Sequence, residues 1–253
     1  HLSVGSDGLI CICPSDKADF RMRMFNADAS EGMMCGNGSR CIAKFVYDKG
    51  LTQKNPITLE TLSGIKTIAM DVADGKVVSA TVDMGVPITD PSSIPMTWEK
   101  SICLDETITV TVDGAPLSLR GTGVSMGNPH FVTFVEDVAT APVEKVGRVI
   151  EHSSYFPERV NVEFVEIVDD NHVKFRVWER GSGETLACGT GACAVAYTAI
   201  TLGKAGRRDQ FLTVEAVGGP LQLNYRSDGH MMMKGPAVTV YEGEMEIPDN
   251  ILK

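Results

Sequence analysis

No apolar run in these 253 residues approaches the roughly 20 that a helix needs to cross a bilayer, and nothing at the start reads as a signal peptide. The sequence opens on His1 rather than a methionine, which leaves room for residues ahead of it. Positive charge is in deficit: 23 Lys and Arg against 33 Asp and Glu leave a formal charge of −10. That balance lacks the basic footprint of nucleic-acid binders and of proteins that sit on anionic membranes. The C-x₂-C spacing of structural zinc is missing too, because Cys11 and Cys13, Cys35 and Cys41, and Cys188 and Cys193 stand at other separations. Seven cysteines, an odd number scattered over a chain too large to need disulfide staples, indicate free thiols and a reducing, cytoplasmic setting. There is no low-complexity tract and no block of like charge. What remains is an ordinary globular composition, 43% apolar and 22% charged, with material for one large or two medium domains.

What is present is a segment written twice. A shift of 153 positions lays residues 20–50 on 173–203 without a gap. Arg23 then falls on Arg176, Glu31 on Glu184, Cys35 on Cys188, Gly36 on Gly189, Gly38 on Gly191, Ala43 on Ala196 and Gly50 on Gly203. Such a repeat predicts two similar structural units. In each copy apolar and basic residues alternate as in a half-buried strand, a loop follows, and Cys-Gly-x-Gly opens a helix. Gly50 and Gly203 stand where helix C-caps belong. The second helix is almost wholly small or apolar, so it is expected at the centre of its domain, wrapped by sheet. Further strands are predicted at 57–62, 66–72, 77–84, 108–112, 131–135, 160–168, 211–216, 221–225, 230–234 and 237–241. Asp74-Gly75, Asp113-Gly114, Gly218-Gly219 and Asp228-Gly229 mark turns between them, and the proline-bearing stretch 86–95 reads as a crossover between units. Gly127-Asn128-Pro129-His130 and the strand after it lead the second unit, while their counterpart in the first would precede residue 1. The first unit is therefore expected to be truncated in this sequence.

Two thiols in equivalent settings suit a reaction that needs one acid/base group on each face of a substrate. A helix start offers unpaired N–H groups and a positive dipole end, which lower a thiol pKa from its usual value near 8.5. The same start suits a carboxylate, and glycines allow its close approach. Two such starts facing one another would grip one α-carboxylate with a sulfur on each side of the α-carbon. A lone cysteine is usually an inert core residue. Cys11 and Cys13, on one strand face, and Cys41, Cys103 and Cys193 are assigned to the core on that ground. Other polar residues lie nearby in sequence: Glu179-Arg180 at a strand-to-loop junction, Asn26 as the repeat equivalent of Glu179, Asn161 at a strand entry, and Asn128 with His130 in a loop. Taken singly, each also reads as a solvated group or a turn brace.

The segments Met24-Phe25-Asn26 through Met34-Cys35-Gly36-Asn37-Gly38-Ser39-Arg40-Cys41, Ser125-Met126-Gly127-Asn128-Pro129-His130, and Glu179-Arg180-Gly181-Ser182-Gly183-Glu184-Thr185 through Ala187-Cys188-Gly189-Thr190-Gly191 belong to one pattern. Phe156-Pro157-Glu158-Arg159-Val160-Asn161 and Gly235-Pro236-Ala237 agree with it. Across essentially its whole length the chain resembles the diaminopimelate epimerases, cofactor-independent enzymes of lysine and peptidoglycan precursor synthesis. The resemblance implies that Cys35 and Cys188 are the catalytic thiols, with His130 beside Cys35 and Glu179 beside Cys188. It implies that Gly36-Asn37 and Gly189-Thr190 hold the reacting carboxylate and amine region. Asn26, Asn128, Asn161 and Arg180 would then read the distal end of the substrate, and Glu179 would sit at its edge. Arg180 suits a bidentate carboxylate contact. Members of the family begin with a strand and a Gly-Asn-Asp loop that this sequence lacks, and Gly8 receives no role.

The expected fold is α+β: two pseudo-symmetric domains, each a mixed or antiparallel sheet wrapped around a central helix, with the active site in the cleft between them. The expected bounds are 1–85 plus 237–253 for the first domain and 86–236 for the second. The expected activity is PLP-independent epimerisation of LL-2,6-diaminopimelate to the meso form by two-base chemistry, with no metal, no nucleic-acid or membrane partner, and a homodimer implied by the resemblance alone. A proline racemase-like enzyme is the first alternative; Asn37 stands where that family has histidine, and proline needs no distal reader such as Arg180. A non-enzymatic thiol redox or metal-binding protein is the second.

Overall fold

Alternating strands and glycine-marked turns build most of the molecule. The computed structural model describes residues 8–26 and 29–244, so residues 1–7 and 245–253 of the first expected domain, and Ala27-Asp28 of its motif, fall outside it. The first copy runs β1 (Gly8–Cys13), β2 (Phe20–Asn26), β3 (Glu31–Gly32), α1 (Gly36–Asp48), β4 (Ile57–Thr61), β5 (Gly64–Ala73) and β6 (Lys76–Asp83). An intervening stretch gives β7 (Glu106–Val112), β8 (Ala115–Ser125), β9 (Pro129–Phe134) and α2 (Val143–Glu151). The second copy runs β10 (Asn161–Asp169), β11 (His172–Glu179), β12 (Gly183–Thr185), α3 (Gly189–Thr201), β13 (Phe211–Ala216), β14 (Gly219–Tyr225) and β15 (Met231–Pro236).

The shift of 153 carries α1 onto α3 residue for residue. It also reproduces the sheet. In each copy the first two strands pair antiparallel, the second pairs parallel with the strand after the helix, and two antiparallel hairpin partners follow. The short strands β3 and β12, expected as loop, fold back on β2 and β11. Their anchors are the repeat-equivalent pairs Arg23–Glu31 and Arg176–Glu184, each a two-pronged guanidinium–carboxylate contact. Antiparallel pairing of β15 with β6 joins the copies into one sheet, ordered β1-β2-β4-β5-β6-β15-β14-β13-β11-β10-β9-β8-β7. The α+β class and the two pseudo-symmetric units stand as expected.

Packing follows from the same patterns. Every residue of α3 from Gly191 to Ala199 is buried, as an all-apolar helix requires, and strands β9 to β11 and β13 to β15 surround it. Helix α1 buries Ile42, Ala43 and Val46 against β5 and β6 and turns Phe45 and Cys41 outward. Cys41 is thus not a core residue: it sits on the outer face of an amphipathic helix. Strand β10 is covered on both sides. Asn161, Glu163 and Val165 face α3, while Val162 and Phe164 join Phe131, Val146 and Ile150 under α2. In α2, Val143, Val146 and Ile150 recur at helical spacing, and Gly147 lets the helix approach Trp178, whose Cβ would lie 2.6 Å from an added methyl. The strand expected at 237–241 does not form. Both edges of β6 are already paired, so Val238, Val240 and Tyr241 find no ladder to join and stay exposed.

Candidate active site

Each Cys-Gly-x-Gly turns a cysteine into a helix N-cap. Cys35 and Cys188 share the same extended backbone, φ −127° and ψ 114°. Their sulfurs do the work usually done by a serine or aspartate oxygen: Gly38 N–H donates to Cys35 Sγ at 3.2 Å and Gly191 N–H to Cys188 Sγ at 3.3 Å. Helical bonding starts with Ser39 N–H and Ala192 N–H on the two cysteine carbonyls. The N–H groups of Gly36, Asn37, Gly189 and Thr190 precede that ladder and have no helical acceptor.

The two helix starts meet over one side chain of β15. A methyl on Gly36 would lie 2.5 Å from Met233 Cε, and one on Gly189 would lie 3.4 Å from Met233 Sδ and 3.6 Å from Asn37 Oδ1. A methyl would crowd Met233 at Gly36, whereas at Gly189 it would make ordinary contact. Asn37 Oδ1 is buried there without a hydrogen-bond partner, an acceptor held ready in the gap.

Around Cys188 the structure collects charge. Thr190 Oγ1 lies 3.4 Å from its sulfur, and Glu179, which accepts a hydrogen bond from the Thr185 hydroxyl, stands nearby. Burial, then Glu179, then Glu163 push the Cys188 thiol well above its ordinary pKa, against the Thr190 hydroxyl and the Gly191 N–H. The expectation that a helix start lowers the thiol is overturned at this sulfur, because desolvation and two carboxylates outweigh one end of a helix. His130, fully buried on β9, lies between Glu163 Oε1, 2.6 Å from Nδ1, and Asn128 Oδ1, 3.1 Å from Nε2.

The distal group divides. Asn161 spends both ends of its amide on backbone: Nδ2 donates to Pro129 O at 3.1 Å, and Oδ1 accepts from Arg180 N–H at 2.8 Å. The Arg180 guanidinium is exposed and donates to the Glu158 carbonyl at 3.2 Å. Asn26, also exposed, donates from Nδ2 to Ser30 Oγ at 3.0 Å. The residue missed by sequence reasoning is Glu163. Its signal was a carboxylate two residues after Asn161, on the same strand face.

The fold places the chain in a class. It superimposes on a probable proline racemase from Agrobacterium radiobacter with a TM-score of 0.72, covering 95% of this chain and 76% of that one at 15% identity. A phenazine biosynthesis protein from Bacillus anthracis gives a TM-score of 0.65 over 96% and 86% of the two chains, at 19% identity. Within that class the chain belongs to the diaminopimelate epimerase family, whose profile matches residues 1–89 and 122–240. It is 52% identical to diaminopimelate epimerase of Methanococcus maripaludis over 98% of this chain and 87% of that protein. With diaminopimelate epimerase of Bacillus subtilis the identity is 48%, over 96% and 84% of the two.

Proposed function

We propose that the chain interconverts LL- and meso-2,6-diaminopimelate through two thiols, without calling on a cofactor. The observation that carries the mechanism is the pair of N-capping sulfurs, Cys35 and Cys188, on two helix starts that converge over Met233. One sulfur, as thiolate, takes the α-proton; the other, as thiol, delivers its proton to the opposite face. The net change is inversion at carbon and transfer of the proton from one sulfur to the other. Negative charge that builds on the α-carboxylate falls to the N–H groups of Gly36, Asn37, Gly189 and Thr190, which have no helical acceptor. Asn37 Oδ1, an orphan acceptor, suits the α-ammonium.

Glu179 serves Cys188, and His130 serves Cys35 when the two units close over substrate. Asn26, Asn128 and Arg180 read the distal amino-acid end, and Asn161 sets the Arg180 backbone from which its guanidinium reaches. Residues 1–85 with 237–253 make one domain and 86–236 the other, a homodimer is the working assembly, and the cytoplasm is its compartment. The test is incubation with LL-diaminopimelate in D₂O, following α-deuterium by mass spectrometry. Absence of exchange in the wild type, or exchange that survives both Cys35→Ala and Cys188→Ala, refutes the mechanism.

A further inference from the structure

We infer that Glu163 is a positioning residue that orients His130 and keeps the proton on Cys188, an inference that rests on the two-thiol reading above. The repeat itself singles the position out. The shift of 153 that lays α1 on α3 also lays Ile10 on Glu163 and Gly38 on Gly191. At the first helix start a methyl on Gly38 would meet Ile10 Cδ1, at 2.3 Å; at the second, a methyl on Gly191 would meet Glu163 Oε1, at 2.8 Å. The same niche under the same helix turn is filled by a hydrocarbon in one copy and by a carboxylate in the other. A fold that accepts isoleucine there has no structural need for glutamate.

The carboxylate is also costly where it stands. Glu163 is fully buried, and its Oε2 has no hydrogen-bond partner. Burying an acid with one oxygen unpaired is unfavourable, through lost hydration, unless a neighbour compensates. Its compensation is His130, 2.6 Å away through Nδ1. That contact fixes the ring so that Nε2 points to Asn128. The parallel register explains the meeting: His130 pairs with Asn161, and Glu163 is the next residue on the same face of β10. The position of a Gly191 methyl lies 2.8 Å from Glu163 Oε1 and 3.3 Å from Cys188 Sγ, so oxygen and sulfur are within about 6 Å.

The groups that face this carboxylate and sulfur are His130 on β9, Glu179 on β11 and Cys188 itself. Arg40 and Lys66 act on Cys193, farther along α3. Burial pushes the Glu163 carboxyl up and His130 draws it back down, so the charge that Glu163 presents to Cys188 is sustained by His130, and no charge stands at its repeat equivalent, Ile10.

The test compares wild type with Glu163→Gln, which keeps shape and an acceptor for Nδ1 but carries no charge. Alkylation of the full-length chain by iodoacetamide is read peptide by peptide at pH 8, so that all seven thiols are followed at once. The Cys188 rate is expected to rise about tenfold, the effect of one unit of thiol pKa, while the Cys103 rate stays unchanged. In the exchange assay kcat is expected to fall at least tenfold with KM within about twofold, since the charge acts on the proton and not on substrate binding. A Cys188 rate equal to wild type overturns the inference. If Glu163→Gln is insoluble, Glu163→Asp decides: it keeps the charge but withdraws it from Nδ1 by one methylene, and wild-type kcat there overturns the inference. Wild-type enzyme that does not exchange deuterium refutes the two-thiol reading instead, so the two failures are distinct.

Discussion

Replacing Gly191 by alanine puts the site's closest packing to a direct test. The new methyl would sit 2.8 Å from Glu163 Oε1, 3.2 Å from Cys188 Cβ and 3.3 Å from Cys188 Sγ. Ordinary contact begins near 3.4 Å, so the carboxylate must retreat by roughly half an ångström and the sulfur by less. Overpacking of this kind costs about 1–3 kcal/mol, while alanine in place of helical glycine returns about 1 kcal/mol. The net loss of stability is therefore about 0–2 kcal/mol, and the protein folds. Activity responds differently. On the proposed two-thiol mechanism Cys188 must meet an α-proton in line, and a displacement of this size is expected to lower kcat by about 10- to 100-fold, because proximity is steep in distance. Urea unfolding gives the first quantity and α-deuterium exchange the second. Gly38→Ala is the companion: its methyl meets the far end of the Ile10 side chain, which rotates away, so it is expected to retain more activity than Gly191→Ala. Wild-type kcat in Gly191→Ala, with normal folding, would refute the argument that this turn holds sulfur and carboxylate in register.

Two further outcomes concern stability. Burial raises the Cys103 thiol to about 11, so the folded state keeps a proton that the unfolded chain releases once pH passes the ordinary thiol range. Its contribution is complete below that range and is lost as pH rises toward 11, at about 1.4 kcal/mol per pH unit; Cys103→Ala should flatten the fall of unfolding free energy between pH 8 and pH 10. The paired guanidinium braces should differ despite their symmetry. Arg176 also donates from Nη1 to the carbonyls of Val138, Ala139 and Ala141, so Arg176→Ala should cost about 1–3 kcal/mol by urea titration, whereas Arg23→Ala, which loses no such backbone contacts, should cost less.

Much of the fold was legible because local and global signals agree. Alternation marked β2, β10, β11 and β13, and Asp-Gly pairs marked the β5–β6 and β7–β8 hairpins, where Asp74, Gly75, Asp113 and Gly114 all take positive φ. The thiols were legible because duplication is rare by chance. What escaped is what depends on neighbours. Strand β8 carries Pro116, Gly121 and Gly123, which depress any strand signal, yet it forms because β7 and β9 supply both edges. Helix α2 is nine residues long with glycine inside it, and packing on Trp178 rather than propensity sustains it. The segment 237–241 shows the reverse: strand-like alternation without an edge stays unpaired. The upward shift of Cys188 was not readable from Cys-Gly-x-Gly, because it comes first from burial in the folded chain and then from carboxylates brought in from β11 and β10.

Duplication solves half of a racemising enzyme's problem and creates the other half. On the proposed mechanism, two sulfurs in identical caps give the forward and reverse reactions equivalent bases. A pair that is doubly protonated or doubly ionised cannot move one proton across a substrate, and coupling between close sulfurs favours the state with one proton, because ionising the first opposes ionising the second. Unequal surroundings then decide which sulfur holds that proton. The copies differ where this is met: Glu163 against Ile10, Glu179 against Asn26. Both carboxylates stand on the Cys188 side, which is buried, while Cys35 is half-buried. Backbone symmetry holds the two caps alike, while burial and a handful of side-chain differences bias the proton toward Cys188.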